Sequence, residues 1–195
     1  MKINFISELL HPEMNHFLWR LQYALENLPN NPKPSCEGFY LAYYNPWKST
    51  LVTEKFGYVP QDKDFKYMHF AGKKVTQTLL FGAKRSKDFE NNDLEQYPGA
   101  ITMNGLDSDL IFCAGVSGHD SMVDEAISAL WLVAKQFMAE NFRSGMLISH
   151  SNDKFFFYLK ERAEEMQKRV APDNSWIVPI AEIMMHVKGK IGGAH

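Results

Sequence analysis

The 195-residue sequence lacks several features that define large classes of protein. Cysteine is scarce: Cys36 and Cys113 form no Cys-x-x-Cys pair, so a thiolate zinc site is not expected, and Cys113 lies in an apolar run typical of a buried, inert thiol. No apolar run approaches the roughly 20 residues of a membrane span. Polar side chains interrupt Met1–Glu8, which therefore does not look like a signal peptide. We expect a cytoplasmic protein with no membrane partner.

An excess of charge of one sign is also missing. Lys and Arg number 21, Asp and Glu number 23, and the formal net charge is -2 with histidine neutral. Because binding to a phosphate backbone requires a basic surface, we expect no nucleic-acid partner. None of the 7 histidines has the spacing of a His-Glu-x-x-His zinc site, so no metal site is predicted.

Large apolar side chains, in contrast, are plentiful: 14 Phe, 8 Tyr, 4 Trp and 10 Met. Such residues dominate core burial, which is the simplest interpretation of their number. Aromatic and Met side chains are also enriched in subunit interfaces and in small-molecule pockets. The composition therefore indicates a well-filled core and leaves a pocket or an interface open as alternatives.

Apolar periodicity and turn signals divide the chain into helices and strands. Predicted helices cover 12–28, 65–84, 121–138 and 153–170, and predicted strands cover 38–44, 50–58, 100–103 and 109–116. Because hairpins separated by helices build antiparallel sheets, we expect an α+β fold in which an antiparallel sheet is flanked by helices. The paired strands are too close in sequence for parallel crossovers. Residues 1–144 are expected to form this domain, and 145–195 a C-terminal helical extension packed on it.

Local signals predict how two of these helices begin and which side one of them buries. Asp64 is expected to cap the second helix, whose buried side would include Met68 and Gly82. Ser121 and Asp124 fit a capping box at the start of the third helix, with Asp in place of the usual Glu.

The connection from the fourth strand to the third helix is the most informative segment. Its glycines allow a sharp turn or the close approach of a ligand, and the free N–H groups of a helix N-terminus can hold a carboxylate or a phosphate. The predicted ligand-binding residues are Gly115, Ser117, Gly118, His119, Asp120 and Ser121. The alternative is a structural turn in which Ser121 satisfies the free donors itself.

The same region resembles a known family. Pro98-Gly99-Ala100-Ile101, then Ala114-Gly115-Val116-Ser117-Gly118, then Asp124-Glu125-Ala126-Ile127 resembles the GlcG/HbpS-like family, the haem-degrading domain family that includes the C-terminal domain of PduO-type proteins. Upstream, Ala71-Gly72-Lys73-Lys74-Val75 is similar to that family's Ala-x-x-Lys-Ala signature. The chain departs from the family at His119, where a further Gly is usual, and at Val75. The resemblance covers residues 12–138.

This resemblance implies a profilin-like sheet, assembly into a homo-oligomer, and binding of haem, a corrinoid or another small ligand. Since a haem iron needs one axial histidine, His16 and His69, each beside aromatic residues, are the candidate axial ligands. The leading hypothesis is therefore an oligomeric protein that binds haem, another tetrapyrrole or a small organic acid. The alternatives are an interaction protein without a small ligand, and a hydrolase or lyase that uses His119.

Overall fold

A computed structural model describes residues 38–46, 48–104, 110–143 and 153–172, the side chains of 137–143 and 153–160 excepted. The strands are β1 (Gly38–Asn45), β2 (Thr50–Gly57), β3 (Ala100–Asn104) and β4 (Ile111–Ser117). The helices are α1 (Gln61–Leu80), α2 (Ser121–Arg143) and α3 (Asp153–Val170), and two 3-10 turns cover Ser86–Phe89 and Asn92–Leu94.

The four strands form one antiparallel sheet with the order β2-β1-β4-β3. Both predicted hairpins are present, and they join through the central pair β1 and β4, where Tyr40 lies opposite Ser117. Aromatic and β-branched residues favour the strands of the first hairpin, whose pleated surface is mostly buried in β1 and only partly buried in β2. The predicted α+β class is confirmed.

Successive side chains of β1 enter two different cores, because a strand alternates its faces with a period of two. Phe39, Leu41 and Tyr43 pack into the core on the side of α2 and α3. Tyr40 and Ala42 pack into the core on the side of α1. The sheet is therefore covered by α1 on one face and by α2 on the other, with α3 packed against α2.

The α2 helix is buried along much of its length. Every residue from 124 to 134 is buried, which includes the predicted inward residues Ile127, Leu130 and Ala134. From α3, Ala163 and Met166 are buried as predicted. Within the described residues, no helix has both the length and the apolar character that a membrane crossing requires.

The start of α1 differs from the prediction that Asp64 caps it. The helix begins at Gln61, four residues earlier than expected, and Pro60 occupies the N-cap position with no side-chain cap. Asp64 lies in the first helical turn, where negative charge is favoured by the helix dipole. Its carboxylate forms an ion pair with Lys55 of β2, so the side chain ties the helix to the sheet instead of capping it.

The end of α1 also differs, and the prediction that Gly82 belongs to its buried side is wrong. The helix ends at Leu80, and Gly82 adopts a left-handed conformation with φ of 61°. The N–H groups of Gly82 and Ala83 donate to the carbonyls of Leu79 and Thr78, each at 3.1 Å. This is the hydrogen-bond pattern of a Schellman motif, which ends a helix at a glycine. Met68, also predicted to be buried, is 40% exposed.

Several predictions lie outside the described residues. They concern the helix over 12–28 with His16, most of the turn between β3 and β4, and the extension beyond Pro172.

Candidate functional site

The connection between β4 and α2 places the predicted ligand-binding residues in unequal environments. Ser117, Gly118 and His119 are buried, Asp120 is half-buried, and Ser121 is exposed. The structure therefore brings these residues together in sequence order, but only the last two offer much surface to a ligand.

Both glycines of this segment are required by packing within the chain. A Cβ on Gly115 would lie 2.8 Å from Cγ2 of Val75, so the missing side chain is what lets α1 approach β4. A Cβ on Gly118 would lie 2.8 Å from Cβ of Phe39. The space beside each glycine is thus already filled by another part of the fold.

Two carboxylates accept hydrogen bonds from backbone N–H groups at and just before the N-terminus of α2. Oδ1 of Asp120 accepts a hydrogen bond from the N–H of Met122 at 3.1 Å, and Oδ1 of Asp124 accepts one from the N–H of His119 at 3.1 Å. Asp120 is the N-cap residue, because α2 begins at the next residue, Ser121. Its side chain accepts a hydrogen bond from the second residue of the helix, as an N-cap side chain does. The predicted capping box of Ser121 with Asp124 is therefore wrong.

A set of buried ionisable side chains lies beneath this connection, and we call it the polar cluster: Lys74, Arg85, His119, Asp124 and Glu125. Nζ of Lys74 donates to the carbonyl of Val116 at 2.7 Å and to Oδ2 of Asp124 at 3.0 Å. Nη1 of Arg85 lies 3.6 Å from Oε2 of Glu125. Nδ1 of His119 lies 3.9 Å from Oδ1 of Asp124. The two buried cations, Lys74 and Arg85, are thus each close to a buried carboxylate.

Gly99 is the point at which the polar cluster meets the segment before β3. Its φ of 133° disfavours any residue with a side chain, and an added Cβ would lie 2.5 Å from Nζ of Lys74. Its carbonyl accepts hydrogen bonds from the N–H of Val116 at 2.9 Å and from Oγ of Ser128 at 2.7 Å. The cluster therefore links α1, β4, α2 and the chain that enters β3.

The polar cluster is better suited to stabilising the fold than to binding a ligand. Buried charges are tolerated when they are paired and hydrogen-bonded, as Lys74 and Asp124 are here. An incoming anion at the α2 N-terminus would meet the carboxylates of Asp120 and Asp124. The His119 side chain is only 3% exposed, so a substrate could reach it only after the connection opened.

A different and exposed group of side chains surrounds His69. The His69 ring stacks on Phe65 with centroids 6.1 Å apart and meets the edge of Phe70 at 5.6 Å. Phe65 is 73% exposed. Nζ of Lys66 and of Lys73 each lie 5.9 Å from the centroid of Phe70. We call this surface of α1, with Phe65, Lys66, His69 and Phe70, the aromatic face.

Sequence reasoning missed the buried character of Lys74. A signal was present, because Lys74 falls on the apolar stripe of α1 between Ala71 and Thr78, and a lysine on such a stripe needs a buried partner.

A second lysine that sequence reasoning missed is Lys135 of α2. Its Nζ lies 4.9 Å from the ring centroid of Trp131 and 5.8 Å from that of Tyr43. Burial lowers the pKa of Lys135 to about 8, and the nearby carboxylate of Glu54 partly offsets that effect. A single lysine within an apolar helix forms no motif, so the sequence carried no signal for this site.

The fold and the polar cluster define the class of this protein: an α+β protein whose antiparallel sheet is flanked by helices and fastened by buried ion pairs. Across the described ranges, no group of three or more His, Cys, Asp or Glu side chains could hold a metal ion. Comparison with protein-family models, with curated proteins and with solved structures gives no match.

Proposed function

We propose that this protein is a GlcG/HbpS-like small-ligand-binding protein and that its ligand is a planar, anionic molecule of the tetrapyrrole class. The ligand would lie against the aromatic face of α1. The observation that carries the proposal is the exposed His69 imidazole between two aromatic rings, with a lysine beside it.

The resemblance behind this proposal gains physical support from the polar cluster. Lys74, Gly99, Val116 and Asp124 belong to four separate segments of the resembling pattern, yet they contact one another. Residues that build one buried unit constrain one another's identity, because a buried charge without its partner is costly. The quoted motifs therefore act as one structural signature.

The aromatic face is favoured over the β4–α2 connection as the binding surface. In the connection, the N–H groups of His119 and Met122 already donate to carboxylates of the chain. The space beside its two glycines is filled by other parts of the fold. The aromatic face instead offers ring surface for stacking and a cation for a ligand carboxylate. Lys73 already donates to Glu95 at 2.8 Å, which leaves Lys66 as the better partner for that carboxylate.

The side chains of the aromatic face match the groups that haem needs from a protein: an imidazole for the iron, a ring for the macrocycle and a cation for a carboxylate. A single imidazole suffices as an axial ligand, and His69 is the described histidine that combines exposure with aromatic neighbours. When bound, the iron would act as a Lewis acid that takes a histidine nitrogen as ligand. His69 would hold it, Phe65 would contact the ring, and Lys66 would pair with a carboxylate of the ligand. His16, the other candidate, lies outside the described residues.

Titration with hemin, followed by the Soret absorption band, tests this proposal. We expect a red-shifted band with the native protein, loss of that shift in His69→Ala, and weaker binding in Lys66→Ala. Lys168→Ala is the matched control, because Lys168 is an exposed lysine of α3, which packs against α2 on the other side of the sheet from α1.

Iron-free protoporphyrin separates stacking from iron ligation. Its binding should survive His69→Ala but weaken in Phe65→Ala, since it depends on ring contact and not on a metal bond. A native-like Soret shift in His69→Ala would overturn the assignment of His69. Absence of any interaction with either porphyrin would overturn the tetrapyrrole proposal.

Assembly of copies, or binding of another protein, is a second candidate that a separate observation favours. Two adjacent large apolar side chains at the C-terminal end of α1 are strongly exposed, Leu80 at 77% and Phe81 at 57%. Phe81 also contacts the ring of Phe89, with centroids 4.8 Å apart. Exposed apolar patches of this kind can mark interaction surfaces. Sedimentation velocity over a range of concentrations tests self-association, and Leu80→Lys should weaken it if this surface is used.

A further inference from the structure

The core between β1 and α2 contains a polar hydrogen without an acceptor. Trp131 is 0% exposed, and its Nε1 has no hydrogen-bond partner among the described residues. A buried N–H that lacks an acceptor is costly to the folded state, and such groups in native proteins call for an explanation. An acceptor brought by a ligand would remove this cost.

A cation lies next to this indole. Nζ of Lys135 is 4.9 Å from the Trp131 ring centroid, and Lys135 is the half-buried member of the pair. The surroundings are mainly aromatic: Tyr43 meets Trp131 edge-on at 5.9 Å and stacks on Phe112 at 6.5 Å. An ammonium and an indole N–H among aromatic rings match a carboxylate joined to an apolar body.

We propose that Trp131 and Lys135 form a binding site for the carboxylate of a small aromatic acid. The indole N–H would donate to one carboxylate oxygen and the ammonium would pair with the other, while Tyr43 and Phe112 would contact the apolar body. The ligand would enter from the side of Lys135. This site lies on the opposite face of the sheet from α1 and does not depend on the tetrapyrrole proposal.

Among the described residues, Glu54 of β2 places a carboxylate near Lys135. It interacts electrostatically with Lys135, and burial raises its pKa. A ligand carboxylate would compete with it for the same ammonium. Removing the charge of Glu54 should therefore strengthen ligand binding, whereas a purely structural Glu54–Lys135 pair predicts only a loss of stability.

The experiment uses benzoate as the probe and two-dimensional NMR of the indole N–H groups as the readout. The chain has 4 tryptophans, and Trp131→Phe identifies the resonance of Trp131 by its disappearance. We expect benzoate to shift that resonance downfield, because the N–H gains an acceptor. Benzamide, which has the same ring without the charge, is the matched control and should bind at least about tenfold more weakly.

Three variants test the assigned roles. Lys135→Met keeps most of the side-chain volume and should weaken benzoate binding by about tenfold or more. Trp131→Phe should weaken it several-fold, and Glu54→Gln should strengthen it. If benzoate leaves the Trp131 resonance of the native protein unmoved at millimolar concentration, the proposal is wrong whatever the variants do. An equal shift with benzamide would also overturn the carboxylate assignment.

Discussion

Two neighbouring lysines of α1 show how strongly burial changes the value of a charge. Lys73 pairs with Glu95 at the surface, where Glu95 is 58% exposed. Lys74 pairs with Asp124 in the interior, where the two side chains are 5% and 3% exposed. Water screens the first pair and not the second, so similar donor–acceptor distances correspond to different energies.

We expect Lys74→Met to lower the free energy of unfolding by about 3 kcal/mol, because it leaves the Asp124 carboxylate buried without its cation. Lys73→Met should change that free energy by less than about 1 kcal/mol, as surface pairs do. Urea denaturation at neutral pH measures both. Equal effects of the two substitutions would show that the Lys74–Asp124 pair carries no special weight in the fold.

At the scale of elements, the positions of both hairpins and of α1 to α3 follow from periodicity and turn residues. The ends of α1 do not, since they depend on long-range contacts. Asp64 is used by Lys55 of a neighbouring strand, and Gly82 ends the helix by a left-handed turn that a stripe of apolar residues cannot reveal. Sequence patterns also give no information on the pairing of β1 with β4, which joins the two hairpins.

In the candidate site too, local features could be predicted from the sequence and features that depend on long-range contacts could not. The segment from Gly115 to Ser121 could be located from the sequence, because a strand, glycines and a capped helix are local signals. Its burial could not, because that depends on Val75 and Phe39, which lie far away in the chain. Trp131 and Lys135 are four residues apart on one helix, but only the fold shows that Tyr43 completes their surroundings.

The start of α2 provides a test of which residue caps the helix. Asp120→Ala should lower the free energy of unfolding by about 1 kcal/mol, because the N–H of Met122 loses its acceptor. Ser121→Ala should leave it within about 0.5 kcal/mol of the native value, since Ser121 is exposed. Chemical denaturation of the two variants in parallel makes the comparison. A larger loss in Ser121→Ala would restore the capping box that the geometry argues against.

For the whole molecule, the sheet couples two separate cores. Each of β1 and β4 contributes side chains to the core under α1 and to the core under α2. A packing defect in one core should therefore destabilise the other core as well. Neither helix layer can detach without exposing strands that pack against both layers. Val75 is the place to introduce such a defect, since its Cγ2 fills the space beside Gly115 on the α1 side.

We expect Val75→Ala to lower the free energy of unfolding by about 2 kcal/mol through the lost methyl contacts and the cavity left behind. Hydrogen–deuterium exchange should then speed up in the amides of α2 as much as in those of α1, although Val75 belongs to the α1 core alone. Thr76→Ala, at the exposed neighbouring position, should leave both helices unchanged. Faster exchange confined to α1 would mean that the two layers open independently. In that case the polar cluster, which ties Lys74 of α1 to Asp124 of α2, would not transmit stability across the sheet.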